Sequence, residues 1–393
     1  MKIVMIDPSG FTPSYDHCLG TAIAQQGNQL VIATMEAGLG RWTEEINYEC
    51  WEHFYRVTGR LSKGKTRTYL KGCEHLFDME RLWHRLRQWE PDVIHFQWLP
   101  LPFVDKFFLR KFRKIAPLVL TVHDTEPFHG APSSRLQLVG LQSAYKQFDH
   151  YIVHTQYSKK MLVERLLLSE ELVSVISHGV FAYYRKLVDG IRAEQVSQFR
   201  EKKVLFLGIL KPYKGVDILL QAFARLSKQL MKDTVLQIVG YPRIPIEPLQ
   251  ALAQRLGIED HVFWDLRFVE ETEIAAYFSQ ADVVVLPYRR IDQSGVLMVA
   301  LAFGKPIIAS RVGGFTEILE DGRHGFLVEP NNIDALAYAL ERILEDDGLR
   351  TRMGSEVEKL ACGKLSWSNI AARTIQLYQD VLERWRAKHG NQA

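Results

Sequence analysis

Short apolar runs without polar alternation constrain this chain more than any other feature. Val283–Leu286 is the clearest, VVVL closed by Pro287. A β-branched run of that length reads as a strand covered on both faces, as strands of parallel sheets are. KIVMID, QLVIAT, DVIHFQW, PLVLTVHD, HYIVHT and VSVISHG repeat the pattern in the first half, and KVLFLG, TVLQIVG, HVFWDL, DVVVLPY, KPIIAS and HGFLVEP in the second. Helical patterns lie between them, among them Cys18–Gln26 and Met79–Trp89. Parallel strands need crossover connections, so the expected fold class is α/β with two doubly wound domains.

A chain of 393 residues is long for one core, which also favours two domains. RKLVDGIRAEQVSQFREKK turns polar between residues 185 and 203, so the expected domains are 1–190 and 191–365. From Trp367 to Trp385 runs an amphipathic pattern with no strand after it, leaving 366–393 free to pack elsewhere. A net charge of +3 is too small to argue for nucleic acid, and none is expected. Cys18, Cys50, Cys73 and Cys362 lie far apart without a CxxC, so neither a disulfide framework nor a metal site is expected. MKIVMIDPSG reads as strand and turn rather than a signal peptide, and no apolar run reaches the roughly 18–20 residues of a membrane span. The expectation is a cytoplasmic protein, peripheral on the inner face of a membrane if it touches one.

Two loops carry chemistry. In VVVLPYRRIDQSGVLMVALAFGKPIIAS a strand, a loop, a helix and a strand follow one another. Ser294 suits the N-cap and Gly295 lets a ligand approach the backbone. The free N–H groups of that helix form an anion site where open α/β sheets bind ligands, at the carboxyl ends of their strands. The second loop is LGILKPYKGVDILLQAF, where a strand ends at Gly208 and Lys211 and Lys214 follow. Two such lysines can neutralise a diphosphate as point charges. GxGxxG, GxxxxGK[ST] and GxSxG are all missing, which argues against dinucleotide oxidoreductases, P-loop enzymes and α/β-hydrolases.

LGILKPYKGVDILLQAF, ADVVVLPY, VALAFGKPIIASRVGGFTEILEDGRHGFLVEPNN and LSWSNIAARTIQLYQDVL, in that order, resemble the family-4 nucleotide-sugar glycosyltransferases of GT-B fold. TVHDTEP and VHTQYSKKML in the first half agree. The resemblance implies two Rossmann-like domains facing across a cleft, the second binding the nucleotide sugar, and a last helix crossing back to the first. It implies that Lys214 contacts the donor diphosphate, that Gly295, Val296 and Leu297 form an amide cradle, that His123 approaches the donor sugar, and that Glu317 shapes the donor site. The expected donor is a UDP or GDP sugar, with no further cofactor, and the acceptor a sugar or lipid-linked hydroxyl of a polysaccharide, glycolipid or other glycoconjugate, transferred with retention. The chain departs from the family in one motif. Its two glutamates, spaced by seven residues, fall on Ile291 and Val299, which leaves Asp292 as the nearest acid to the first; the usual arginine after Gly208 is Ile209, which leaves Lys211 as the second cation. A catalytically silent GT-B subunit supporting a partner glycosyltransferase is the alternative reading.

The acceptor side shows itself as charge. Arg56, Arg60, Lys63, Lys65, Arg67 and Lys71 follow one another with no acid between Glu52 and Glu74, and Lys106, Arg110, Lys111, Arg113 and Lys114 flank Phe107, Phe108 and Phe112. Both stretches, Arg56–Lys71 and Lys106–Lys114, read as surfaces for an anionic membrane or as solvated basic faces.

Overall fold

The computed structural model describes residues 1–36, 38–39, 46–62, 64–125, 139–188 and 201–389. It divides into two compact units, Met1–Gly179 with Trp367–Ala393, and Val180–Ser366. The stretch 189–200, on which the expected boundary between 190 and 191 falls, lies outside the described residues, as do Lys63 and the side chain of Lys65.

The first unit is built on β1 (Lys2–Asp7), β2 (Gln29–Met35), β3 (Glu49–Phe54), β4 (Val93–Phe96), β5 (Leu118–Thr121), β6 (His150–Val153) and β7 (Val173–Val175). They form one seven-stranded sheet in the order β3-β2-β1-β4-β5-β6-β7, parallel throughout. The second holds β8 (Lys202–Leu207), β9 (Thr234–Val239), β10 (Val262–Asp265), β11 (Val283–Leu286), β12 (Ile307–Ser310) and β13 (Gly325–Val328). Its six-stranded sheet runs β10-β9-β8-β11-β12-β13, again all parallel. Val283–Leu286 is fully buried, because helices cover both faces of a crossover sheet. In each sheet the strand order reverses beside the first strand, at β1/β4 and at β8/β11. Such a reversal opens a crevice at the carboxyl ends, since the following connections leave to opposite faces.

β3 is the strand that the apolar runs did not announce. ECWEHF alternates because β3 is an edge strand, with Glu49 and Glu52 exposed and Trp51 and His53 buried. Two helices are longer than their patterns. The first starts at Pro13, not Cys18, and has proline in its first turn, where a missing N–H costs nothing. The second spans Lys65–Trp89 rather than Met79–Trp89. Its inward face begins with His75 and Asp78 before reaching Met79, Leu82 and Leu86, so polar core residues hide the apolar period.

The last helix, Trp367–His389, belongs to the first unit. Ile370, Ala371, Thr374, Leu377, Tyr378, Val381 and Leu382 are buried along one face with a helical period. Each buried leucine or valine contributes about 1.5–3 kcal/mol. Arg373 adds a hydrogen bond of 2.8 Å to the Val175 carbonyl, and the Tyr378 hydroxyl meets His95 Nδ1 at 2.6 Å. Among the described residues no helix is long and apolar enough to cross a membrane.

Candidate functional site

In the second unit, β8 and β11 deliver the two loops singled out by sequence to the same reversal of strand order. Gly208 follows β8 with φ +136°, in the region open to glycine. A methyl group there would lie 2.5 Å from Lys214 Nζ and 3.4 Å from Val296 Cγ2. Gly208, Lys214 and Val296 therefore share one small space. Behind them, a methyl on Gly240 would meet the Gly208 carbonyl at 2.3 Å, so two strand ends touch through bare backbone.

Lys214 is buried, with 8% of its surface exposed. Among the described residues it has no hydrogen-bond or ion-pair partner; its ammonium lies 5.1 Å from the Tyr288 ring centroid, and burial lowers its pKa. A cation held out of water without a counter-ion is costly unless a ligand supplies one. The loop that carries it is clamped. Arg289 donates through its backbone N–H to the Tyr213 carbonyl at 2.7 Å, and its guanidinium spans the Pro212 carbonyl and Asp217, the latter at 2.6 Å. Gly215, at φ +69°, fits where a methyl would come within 2.0 Å of the Pro287 carbonyl. Lys211 sits on the rim, its ammonium 5.9 Å from the Tyr213 ring centroid.

Ser294 caps the Gly295–Ala302 helix, its hydroxyl accepting from the Leu297 N–H at 3.3 Å. Space beside Gly295 is open, the nearest atom to an added methyl being Phe181 Cε2 at 3.9 Å. The loop before the helix is fixed from below: the Gly314 N–H donates to the Asp292 carbonyl at 3.2 Å, and Gly313 packs against Ile291 O at φ +47°. Glu317 lies one turn further, in the helix Phe315–Ile318. Sequence reasoning missed Tyr288, Gly240 and Arg289, although PYRR and VGYP stand directly after apolar strands.

In the first unit His123 follows β5 and sits among aromatic rings. Trp98 stacks on it with ring centroids 5.3 Å apart, and Tyr15 meets it edge-on at 4.8 Å. Its Nε2 faces the Gln97 side-chain amide at 2.9 Å and its Nδ1 faces His154 Nε2 at 3.3 Å. The other end of this chain is the Ile176 carbonyl, 3.0 Å from His154 Nδ1. A carbonyl only accepts, so His154 carries its proton on Nδ1, and Gln97 Oε1 likewise accepts from His123 Nε2–H. Burial, reinforced by His154, His178 and His95, holds the pKa of His123 well below that of a free histidine. Burial likewise brings His154 to about 4 and His95 and His178 to about 3. The cluster is neutral at physiological pH. HFQW after β4 and the later His154 and His178 were the signals available for it.

The expected basic surface is only partly free. Arg60 pairs with Glu36 at 2.6 Å, Lys111 with Glu80 at 2.7 Å and Arg113 with Asp149 at 2.5 Å. Arg67 donates to the Thr58 carbonyl, and Lys71 turns towards Ser9. Aromatic and aliphatic side chains stand out instead: Tyr69, Leu70 and Phe77 on the Lys65–Trp89 helix, and Phe103 and Phe107 on Pro102–Phe112.

Known proteins share this architecture. Residues 189–360 match the family model described as glycosyl transferases group 1, and residues 17–181 match that of glycosyltransferase family 4. An uncharacterized glycosyltransferase of Methanocaldococcus jannaschii is 28% identical over 68% of this chain and 70% of its own length. The D-inositol 3-phosphate glycosyltransferase of Corynebacterium glutamicum is 30% identical over 68% of this chain and 67% of its own. Among solved structures, Anabaena HepE in complex with UDP and glucose aligns at a TM-score of 0.72 with 20% identity, covering 97% of this chain and all of that one. Sucrose-phosphate synthase from Thermosynechococcus elongatus aligns at 0.71 with 19% identity, covering 98% and 100%. With both halves matched in order and a 30% identical relative spanned over two thirds of its length, the chain belongs to the family-4, group-1 glycosyltransferases of GT-B fold.

Proposed function

We propose that the chain transfers a sugar from a nucleotide-diphosphate sugar, UDP- or GDP-linked, to an acceptor hydroxyl of a glycoconjugate, with retention at the anomeric carbon. The observation that carries this is Lys214, a buried ammonium with no carboxylate partner among the described residues, set beside Gly208 at the strand-order reversal that also receives the capped N-terminus of the Gly295 helix. A diphosphate supplies the missing charge, and the first-turn N–H groups of Gly295 and Val296 add dipoles aimed the same way, that of Leu297 being taken by the Ser294 hydroxyl. HepE, solved with UDP and glucose, supports a nucleotide-sugar donor. Lys211 at the rim is the second cation, and Glu317 shapes the donor site.

The chemistry asks for positioning and charge stabilisation. The acceptor oxygen bonds to the anomeric carbon, the bond from that carbon to the diphosphate oxygen breaks, and the acceptor proton passes to the departing phosphate. Lys214 and the helix amides stabilise the charge that grows on this leaving group. Asp292 balances positive charge at the anomeric carbon, and His123, its ring nitrogens held by Gln97 and His154, approaches the donor sugar. Electrostatic help of this kind acts in the transition state, so Asp292→Asn lowers turnover by about 100-fold and changes the Michaelis constant little. Turnover at the unmodified rate removes Asp292 from the mechanism.

A second reading is favoured by Ile291 and Val299 at the two glutamate positions: a silent subunit that binds nucleotide and supports a partner enzyme. Hydrolysis of UDP- or GDP-sugars by the isolated protein, followed by release of nucleoside diphosphate, separates the two. Calorimetry with UDP and GDP then identifies the base.

We also assign a membrane-facing role to the first unit. Phe103 and Phe107 are half exposed one turn apart, with Lys106 4.9 Å from the Phe107 ring centroid, a pairing of apolar wedge and cation suited to anionic headgroups. Sedimentation with vesicles of anionic and of neutral lipid tests it, and equal recovery with both refutes it.

A further inference from the structure

By sequence Lys71 is one of a run of surface cations, and the structure gives it different surroundings. It is half-buried, and among the described residues no carboxylate lies within ion-pair distance of it. Its ammonium approaches Ser9 Oγ at 3.4 Å, just past the carboxyl end of β1, and stands 4.0 Å from the centroid of the Tyr55 ring. Burial lowers its pKa and the neighbouring Arg67 lowers it further, against a smaller opposing effect of Asp7 and Glu74, neither of which pairs with it.

Tyr55 is held from several sides. Its backbone is left-handed at φ 55°, a conformation that costs a non-glycine residue about 1–3 kcal/mol and persists only where the surroundings impose it. The backbone N–H donates to Asp78 Oδ2 at 2.8 Å, and the phenol meets His75 Nδ1 at 2.8 Å. His75 Nε2 in turn meets the buried Asp105 carboxylate at 2.6 Å, whose other oxygen accepts from the Leu101 N–H at 3.1 Å. The carboxylate accepts from His75 Nε2–H, which leaves Nδ1 facing the phenol hydroxyl. The Tyr55 face is thereby fixed beneath the ammonium.

We propose that Lys71, Ser9 and Arg67, backed by the Tyr55 ring, form an anion-binding subsite for the acceptor, taking a phosphate or carboxylate group that the acceptor carries. The subsite lies beside β1/β4, where the order of the first sheet reverses and open parallel sheets take their ligands. A cation stacked on an aromatic face and lacking a carboxylate is completed by an anion on its open side. Assigning that anion to the acceptor rests on the second unit taking the donor diphosphate; the anion site itself does not.

The test uses the full chain carrying Lys214→Ala, which silences the donor site. Calorimetry with inorganic phosphate, and in a parallel arm with acetate, shows binding of at least one anion. Adding Lys71→Ala weakens that binding by about tenfold or more, the effect of one charge-assisted hydrogen bond, while Lys71→Arg retains most of it. Equal affinity with and without Lys71→Ala overturns the proposal. Should Lys71→Ala not fold, the Lys214→Ala chain with 13C-dimethylated lysines keeps the question open to measurement. There the Lys71 resonance, identified by its loss in Lys71→Arg, shifts saturably with phosphate or acetate, and a resonance that neither anion moves overturns the proposal. Failure of the unmodified protein to bind UDP or GDP would instead remove the donor reading and leave the Lys71 signal to be judged alone.

Discussion

The two reversals of strand order are alike in topology and opposite in filling. At β8/β11 the space is made by small residues: Gly208, Gly240 and Gly295 contribute bare backbone, and among the described residues no carboxylate pairs with Lys214. At β1/β4 and along β5 and β6 it is crowded with Tyr15, His95, Gln97, Trp98, His123 and His154, which hydrogen-bond or stack with one another. One sheet thus presents a buried cation beside bare backbone, while the other presents groups already oriented by the protein. The first arrangement suits a conserved chemical handle such as a diphosphate, the second a surface that must hold side chains at fixed angles.

Acid should separate the two units most strongly. His53, His95, His123, His150, His154 and His178 all have pKa values lowered by burial, several to about 3 or 4. Unfolded, these rings bind protons near pH 6.5, so their contribution is fully present above that pH and is lost as pH falls towards 4, by about 1.4 kcal/mol per pH unit for each ring. Asp7, Asp16 and Asp78, raised by burial, act in the opposite direction but are outnumbered. Lowering the pH from 7 to 5 should cost the first unit several kcal/mol. Hydrogen exchange should show its core opening before that of the second unit; simultaneous opening would contradict the contrast.

Next in size is Lys214→Ala. It should weaken nucleoside diphosphate binding by about 1.5–3 kcal/mol while leaving the melting temperature unchanged or raised, because it removes an uncompensated buried charge. A lowered melting temperature with intact binding would make Lys214 structural. Binding should also raise the depressed pKa of Lys214, so calorimetry in buffers of different ionisation enthalpy should report proton uptake at alkaline pH. No uptake would place the diphosphate elsewhere.

Gln97→Ala should lower turnover by about tenfold through loss of the fixed His123 tautomer, with nucleotide affinity unaffected. Nitrogen NMR of the His123 ring reads the tautomer directly, and an unchanged pattern would limit Gln97 to packing. The smallest effect belongs to the surface. Phe107→Ser should reduce partitioning onto anionic vesicles by about 1 kcal/mol, roughly fivefold.

The sheets could be read from sequence wherever strands are covered on both faces, because burial erases alternation; VVVL and IIAS are examples. β3 escaped because an edge strand keeps one polar face, and the start of the Lys65–Trp89 helix because its inward positions are histidine and aspartate. The Gly208, Lys214 and Ser294 loops stood out as local patterns of strand end, small residue and cation. Their meeting did not, since it depends on pairings such as Val283 with Val204, far apart in the chain. Lys71 shows the limit best. In sequence it is one cation among many, and only the position of Tyr55 and Ser9 in space distinguishes it from Arg56 or Arg60.

The assignment of Trp367–His389 to the first unit has a consequence for how the protein is made. Tyr378 closes over His95 across 283 residues of chain, and Trp367 meets Tyr15 with ring centroids 5.2 Å apart. During synthesis the segment for the second unit leaves the ribosome before the helix that completes the first, so the unit translated first finishes last. Nascent chains halted before residue 366 should expose the histidine cluster to solvent and to proteases. Translation itself then imposes an order in which the second unit matures while the histidine cluster of the first still waits for its wall.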